Sequence, residues 1–178
     1  FATWAYQRGG AKLTDKGWDY DEMTQKLSEA YHKAAQENNA LIADVGRRFY
    51  EWSDPQDLYA ADGVHPSELG SHIAAETIAA ALTELITQKD GLPVTATANA
   101  GEVTLTCRHK GAVGNDIIVS SGVTAAGITA AATTLTGGNV DPYITPALAA
   151  AFSAGHNIIV CPFSTQEAMT ALRNHLTN

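Results

Sequence analysis

The stretch Leu58–Gly70, which reads LYAADGVHPSELG, joins a polar loop to a long segment whose apolar residues recur at helical spacing. Pro66 suits the first turn of that helix, where its missing N–H is no loss. Asp62 and His65 lie three residues apart just before the helix, so the carboxylate can contact and orient the imidazole. The sequence therefore predicts a loop-to-helix junction that holds His65 in place and leaves it accessible to a substrate.

The same residues carry a resemblance to a known family. The block DGVHPSELG resembles the last sequence block of the SGNH (GDSL-like) hydrolases, and upstream residues such as Thr3-Trp4 and Tyr20–Met23 are similar to the C-terminal part of those esterases. The resemblance covers roughly residues 1–88. It implies that His65 is the base of a Ser-His-Asp apparatus and that Asp62 orients it. The family's Gly-Asp-Ser nucleophile block and its oxyanion blocks do not occur in this sequence.

Composition divides the chain near Lys89–Gly91. Residues 1–90 carry 8 Lys or Arg and 15 Asp or Glu, whereas residues 91–178 carry 3 and 4 and are rich in Ala, Thr and Gly. We therefore expect two domains, 1–90 and 91–178. The net charge of −8 argues against binding to nucleic acid, and the absence of an 18-residue apolar run argues against a membrane span.

The first domain is predicted to have the order β-α-β-loop-α, a partial three-layer βα segment of the SGNH type. Its helices follow apolar residues at helical spacing, and its strands are short apolar runs. In chain order we expect a strand at Phe1–Tyr6, a helix through Met23–Ala34, a strand at Leu41–Val45, a mostly irregular stretch at Arg47–Ala61 and a helix from Pro66 to about Gly91.

The second domain is predicted to be mixed α/β, with a hairpin and two helices. Thr- and Val-rich runs flank Asn99-Ala100-Gly101, which is typical of a hairpin loop. The expected elements are hairpin strands Val94–Ala98 and Val103–Cys107, strands Ile117–Ser120, Ile128–Thr134 and Asn157–Cys161, and helices Tyr143–Phe152 and Thr165–Leu176. Cys107 and Cys161 are expected to be packed thiols in buried strands rather than a disulfide.

This second part resembles the central domain of the tail sheath proteins of Mu-like contractile-tailed phages. The resemblance runs from about Leu92 to Leu176, through LPVTATANAGEVTLTCRHKGAVGNDI, TLTGGNVDPYITPALAAAF and HNIIVCPFSTQEAMTALRNHL. It implies a structural role, with self-association or other phage tail subunits as partners, and a virion-associated location or the bacterial cytoplasm. The further portion that carries the strand-exchange arms of sheath subunits is not in this sequence. Because the chain opens at Phe1, we expect a fragment or a processed chain.

A serine within the chain is not expected to replace the missing nucleophile. Ser53, Ser67 and Ser71 are near the Asp-His pair in sequence, but none lies in a Gly-x-Ser-x-Gly elbow or a Gly-Asp-Ser strand end. Gly114-Asn115-Asp116 mimics an oxyanion block of the SGNH enzymes, but it follows the Asp-His block, and a turn closing into a strand is the simpler interpretation.

Other candidate sites each have a simpler interpretation. His65, His72, Asp62 and Glu76 match no recognised metal-ligand set, so a solvated helix face is favoured and no metal or cofactor is predicted. The basic run Arg108–Lys110 could bind phosphate or an acidic neighbour, although an exposed loop is simpler. The tryptophans, which are more often core residues than the lining of an acyl pocket, are Trp4, Trp18 and Trp52.

Two functional hypotheses remain. The first is a structural or interaction chain, in which a sheath-like domain is joined to the Asp-His end of an SGNH hydrolase and has no catalysis of its own. The second is a serine esterase acting on a small ester or an acylated carbohydrate, with Asp62 and His65 in place and the nucleophile outside this chain.

Overall fold

The computed structural model describes residues 1–10, 14–123, 129–130 and 133–177. The chain forms two compact units, Phe1–Leu105 and Thr106–Asn178. The first unit thus extends 15 residues past the compositional boundary at residues 90/91, because it includes the first hairpin strand and part of the second. Helices and small antiparallel sheets occur together, which confirms the predicted mixed α/β class.

Helices dominate the first unit. Three of them begin after a residue whose side-chain oxygen accepts a hydrogen bond from a backbone N–H of the first turn: Asp19, Asp44 and Ser67. These helices are α1 at Tyr20–Glu37, α2 at Val45–Tyr50 and α3 at Glu68–Gln88, and a 3₁₀ turn occupies Pro55–Leu58. The helix predicted from Pro66 is therefore confirmed, with Ser67 as its cap.

The N-terminal segment is anchored by one parallel bridge, between Ala2 and Ala43. The predictions of full strands at Phe1–Tyr6 and Leu41–Val45 were wrong in extent: Leu41 is half exposed, and Val45 already begins α2. The prediction of a mostly irregular Arg47–Ala61 was also wrong, because α2 and the 3₁₀ turn take eight of its fifteen residues.

The core of the first unit lies between α2, the 3₁₀ turn and α3. The Phe49 and Tyr59 rings meet there edge to face, with their centres 5.5 Å apart. The Trp4 and Phe49 rings are tilted at 52° to each other, with centres 5.2 Å apart. The buried cluster consists of Val45, Phe49, Leu58, Tyr59 and Ile73, with Trp4 and Trp52 packed against it. Two of the three tryptophans are thus core residues, whereas Trp18 is 46% exposed beside Lys16.

A β-hairpin follows α3, as predicted. Strands β1 (Val94–Asn99) and β2 (Glu102–Cys107) are joined by Ala100 and Gly101, which both have positive φ. Gly101 is required for close approach as well as for the turn, because a Cβ there would lie 2.9 Å from Cβ of Ala75 on α3. The division between the two units falls within β2.

The second unit contains a short sheet and two helices. Asn115 organises its first loop, since its amide donates to the Gly138 carbonyl at 2.8 Å and its Oδ1 accepts from the Gly138 N–H at 3.0 Å. Its elements are a 3₁₀ turn at Ala112–Asp116, antiparallel β3 (Ile118–Val119) and β4 (Thr133–Thr134), α4 (Thr145–Ala154) and α5 (Gln166–Leu176). Both predicted helices are confirmed.

The strands predicted for this unit are shorter than expected or absent among the described residues. Within Ile117–Ser120 only Ile118–Val119 is strand, and of Ile128–Thr134 residues 128, 131 and 132 lie outside the described residues. The buried strand predicted at Asn157–Cys161 was wrong: the segment carries no strand, and Ile158 and Val160 are 83% and 88% exposed. Cys107 and Cys161 are both free, as expected, but each is only partly buried. Cys107 ends β2, whereas Cys161 lies in no strand, so the expectation of two buried strands was wrong.

None of the helices that the structure describes is long and apolar enough to cross a membrane.

Candidate functional site

The loop between the 3₁₀ turn and α3 is closed into a small, backbone-bonded platform. Tyr59 and Pro66 form an antiparallel bridge, and the Ala60 N–H donates to the His65 carbonyl at 2.8 Å. The Gly63 N–H donates back to the Ala60 carbonyl at 2.9 Å. The backbone φ angle of Gly63 is +67°. This φ lies in the left-handed region that favours glycine. These bonds place Asp62 and His65 at the tip of a turn whose two ends are held together.

The structure brings Asp62 and His65 into direct contact. Nδ1 of His65 lies 2.6 Å from Oδ2 of Asp62, while Oδ1 of Asp62 accepts from the Val64 and His65 backbone N–H groups, each at 3.0 Å. The carboxylate therefore selects the tautomer in which Nδ1 carries the proton and Nε2 presents a lone pair. Among the described residues nothing hydrogen-bonds Nε2, and the His65 side chain is 78% exposed. A carboxylate-oriented base facing solvent results.

Hydrogen bonding controls the charge on Asp62. The His65 side chain, followed by the backbone N–H groups of Val64 and His65, holds the pKa of the Asp62 carboxyl well below its usual range. Asp62 is consequently an anion throughout the neutral range. Its role as the acid that orients a catalytic His65 stays a prediction, because the contact alone does not show catalysis.

Two aromatic side chains of the first unit, Trp4 and Tyr59, connect this loop to the rest of the unit through hydrogen bonds. The Trp4 indole N–H donates to the Val64 carbonyl at 3.2 Å, and the Tyr59 hydroxyl donates to the Ala5 carbonyl at 2.6 Å. Tyr59 is 6% exposed, and burial raises the pKa of its phenol well above the usual range. The side chains beneath the Asp-His turn are therefore neutral and rigidly bonded.

The serines near this turn are not arranged as nucleophiles. Ser67 caps α3: its hydroxyl accepts from the Gly70 N–H at 3.0 Å and donates to the Asp57 carbonyl at 2.5 Å. Ser53 and Ser71 are exposed, and within the described part of the chain no serine hydroxyl hydrogen-bonds His65. The geometry supplies a base and its orienting acid without an attacking group.

The other candidate site residues from the sequence have the structural roles that the simpler interpretations gave them. Asn115 bonds the backbone of Gly138 and closes a turn into β3, which confirms the structural interpretation. Nε2 of His72 lies 3.2 Å from Glu76 on an exposed face of α3, and Arg108–Lys110 is an exposed loop. Among the described residues no three His, Cys, Asp or Glu side chains are grouped as metal ligands.

Two arrangements were not predicted. A cleft of about 460 Å³ opens between α1 and α2, where Asp44 accepts from the Thr3 hydroxyl at 2.7 Å and lies 3.9 Å from His32; neither Asp62 nor His65 lines it. In the second unit, His156 and His175 contact each other through their Nε2 atoms. Thr3 and Asp44 are 41 residues apart, and His156 and His175 are 19 apart, so no local spacing in the sequence could have revealed these contacts.

Comparison with known proteins gives two partial matches. The chain is similar to a phage tail sheath protein. Over 124 residues it is 31% identical to the Mu-like prophage FluMu tail sheath protein of Haemophilus influenzae, and the match covers 67% of this chain and 26% of that protein. The chain is also similar to the solved structure of a protein from Slackia heliotrinireducens that is provisionally described as an SGNH hydrolase. The two chains are 45% identical over a match that covers 45% of this chain and 43% of the other chain, with a TM-score of 0.42. No protein-family model matches the chain.

The sheath match is longer than the resemblance seen in the sequence. Since 67% of 178 residues is about 119, and residues 91–178 number only 88, the match includes about 30 or more residues that precede Gly91. The chain spans about a quarter of the length of this curated relative. Both resemblances noted in the sequence are thus found among known proteins, each over part of the chain.

Proposed function

We propose that this chain is a structural and interaction module of the tail-sheath type, joined to the Asp-His end of an SGNH-like segment and without ester hydrolysis of its own. The observation that carries the proposal is the 31% identity to a tail sheath protein over two thirds of the chain. The partners are other copies of this chain or other phage tail subunits, and the location is virion-associated.

Exposed apolar side chains in the second unit support an interaction role. Ile158 and Val160 lie two residues apart in a segment without regular secondary structure, and each exposes more than four fifths of its surface. Val140 and Tyr143 are 79% and 80% exposed in the stretch before α4. Removing such side chains from water stabilises a contact by about 25 cal/mol per Å², so contact with another copy would be favourable.

Self-association of the purified chain tests this proposal. We expect light scattering on eluting fractions to show a small oligomer whose share rises with concentration. Ile158→Asp together with Val160→Asp should shift it to monomer, because charged side chains are costly to bury without partners. Leu82→Asp, which changes an exposed apolar residue of α3, is the matched control and should leave association unchanged. A wild-type chain that stays monomeric at every concentration would contradict the proposal.

The second candidate is a serine esterase acting on small or carbohydrate esters, with the nucleophile outside this chain. It is favoured by the 2.6 Å contact between Asp62 and His65 and by the exposed Nε2 of His65. p-Nitrophenyl acetate tests it, with His65→Ala as the decisive variant and His72→Ala as the control for an exposed imidazole. We expect no saturable turnover above the His65→Ala level. Saturable turnover lost only in that variant would establish the esterase instead.

A further inference from the structure

Two histidines of the second unit contact each other, although the sequence analysis singled out neither as a site residue. His156 follows the C-terminal end of α4, and His175 lies in the last turn of α5. Their Nε2 atoms are 3.0 Å apart. The ring centres lie 5.0 Å apart with an interplanar angle of 15°. Because the nitrogens are closer than the ring centres, the imidazoles approach through their nitrogen edges and not through their faces.

The tautomer of His156 is fixed by its other ring nitrogen. Nδ1 lies 3.0 Å from the Ala151 carbonyl, and since a carbonyl only accepts, Nδ1 must carry the proton. Neutral His156 therefore directs the lone pair of Nε2 towards His175. A backbone carbonyl that accepts from the second ring nitrogen is also what fixes the tautomer and orientation of histidines that bind metals.

We propose that His156 and His175 form a binding site for a divalent transition-metal ion that prefers imidazole, of which Zn²⁺ is the simplest example. Zn–N bonds of about 2.0–2.1 Å in tetrahedral geometry separate two ligand nitrogens by roughly 3.3 Å. The observed 3.0 Å is a few tenths of an ångström short of this, so a small outward movement of the rings admits the ion. Because Nε2 of His156 accepts, the hydrogen between the two Nε2 atoms belongs to His175. When the ion binds, this hydrogen moves from Nε2 to Nδ1 of His175, and both imidazoles bind in the neutral form.

The surroundings determine what kind of site this is. In the described residues no third His, Cys, Asp or Glu joins the pair, so water completes the coordination. The Phe152 ring meets the His175 ring edge-on, with centres 5.7 Å apart, and covers one side of it. Such an ion would link the end of α4 to the end of α5 and restrain the loop between them, a role distinct from the proposed self-association.

Titration of the full chain with ZnCl₂ at about pH 7.5, where free imidazole is mostly neutral, tests the site. We expect calorimetry to give one ion per chain and NMR to show imidazole shifts confined to His156 and His175. His156→Gln and His175→Gln should each weaken binding at least tenfold. His72→Gln, at the exposed pair with Glu76, should not change it, and MgCl₂ should produce no shifts because Mg²⁺ prefers oxygen ligands.

Three results would overturn the proposal: no binding of Zn²⁺ by the wild-type chain, unchanged affinity in both Gln variants, or imidazole shifts centred on His72. Circular dichroism without metal shows whether the variants fold. Where they do not, the wild-type NMR titration decides alone, because shifts at the two named histidines support the site and shifts elsewhere exclude it.

Discussion

Gly70→Ala should destabilise the first unit, although Ala is the better helix former. At an ordinary helix position the change would stabilise by about 1 kcal/mol. At Gly70, a Cβ would overlap the carbonyl oxygen of Leu58 and lie 2.9 Å from its carbonyl carbon. Leu58 is fully buried, and its carbonyl accepts from the Ser67 N–H at 2.9 Å, so it cannot move without weakening the bond that closes the Asp-His turn.

The size of the effect follows from these contacts. Overpacking costs about 1–3 kcal/mol, and a weakened backbone hydrogen bond adds about 1 kcal/mol. After the helix-propensity gain we expect a net loss of about 2 kcal/mol in the free energy of unfolding, which lowers the urea midpoint by about 1 M at a typical m-value. Tryptophan fluorescence is the assay, because all three tryptophans lie in the first unit.

Ser71→Ala is the matched control for this variant. It changes the next residue of the same helix, at an exposed position, and should alter stability by less than about 0.5 kcal/mol. If Gly70→Ala were as stable as the wild type or more stable, the close approach of Leu58 to α3 would not exist. The rigid base inferred for the Asp-His turn would then be refuted with it.

Two further predictions concern the same unit. Tyr59→Phe removes the buried hydrogen bond to the Ala5 carbonyl and should cost about 1–3 kcal/mol in urea unfolding, whereas Tyr50→Phe, at a largely solvated bond, should cost far less. Because the pKa of Asp62 is lower in the folded chain than its ordinary 3.8, the unfolded chain binds more protons near pH 4. The contribution of ionised Asp62 to the free energy of unfolding should therefore be complete well above pH 4 and be lost as the pH falls below 4. Carboxyl ¹³C NMR should show the pKa of Asp62 rising in His65→Ala, and an unchanged pKa would contradict the assignment.

The long helix α3 was predictable from the sequence, and the short helix α2 was not. The apolar spacing of α3 continues over 21 residues and indicates a helix by itself. Helix α2 has six residues, too few to show a period, and it is stabilised by contacts from far along the chain. The Gly46 N–H donates to the Thr3 hydroxyl at 2.8 Å, across 43 residues, and a Cβ at Gly46 would lie 2.8 Å from the Trp4 backbone.

The two histidine contacts differ in how far apart their residues lie in the sequence. Asp62 and His65 are three residues apart in one turn, so their spacing predicts the contact that the structure shows. His156 and His175 are 19 residues apart, one just after α4 and the other in the last turn of α5. Their contact depends on how these two helices pack, and neither histidine has a signal in the sequence around the other. Local chemistry can therefore be predicted from spacing, whereas chemistry assembled by packing requires the fold.

The segment Asn157–Cys161 illustrates what an apolar pattern does and does not establish. A run of apolar residues indicates that a segment can be buried, but burial also needs a partner surface. In the described residues Ile158 and Val160 have none that covers them. Since they are already exposed, replacing them with Asp removes little packing within the unit and should change its stability only slightly. A loss of self-association in the double variant would therefore report contact with another chain and not misfolding, which is why this pair tests the proposed interaction role more directly than any core residue.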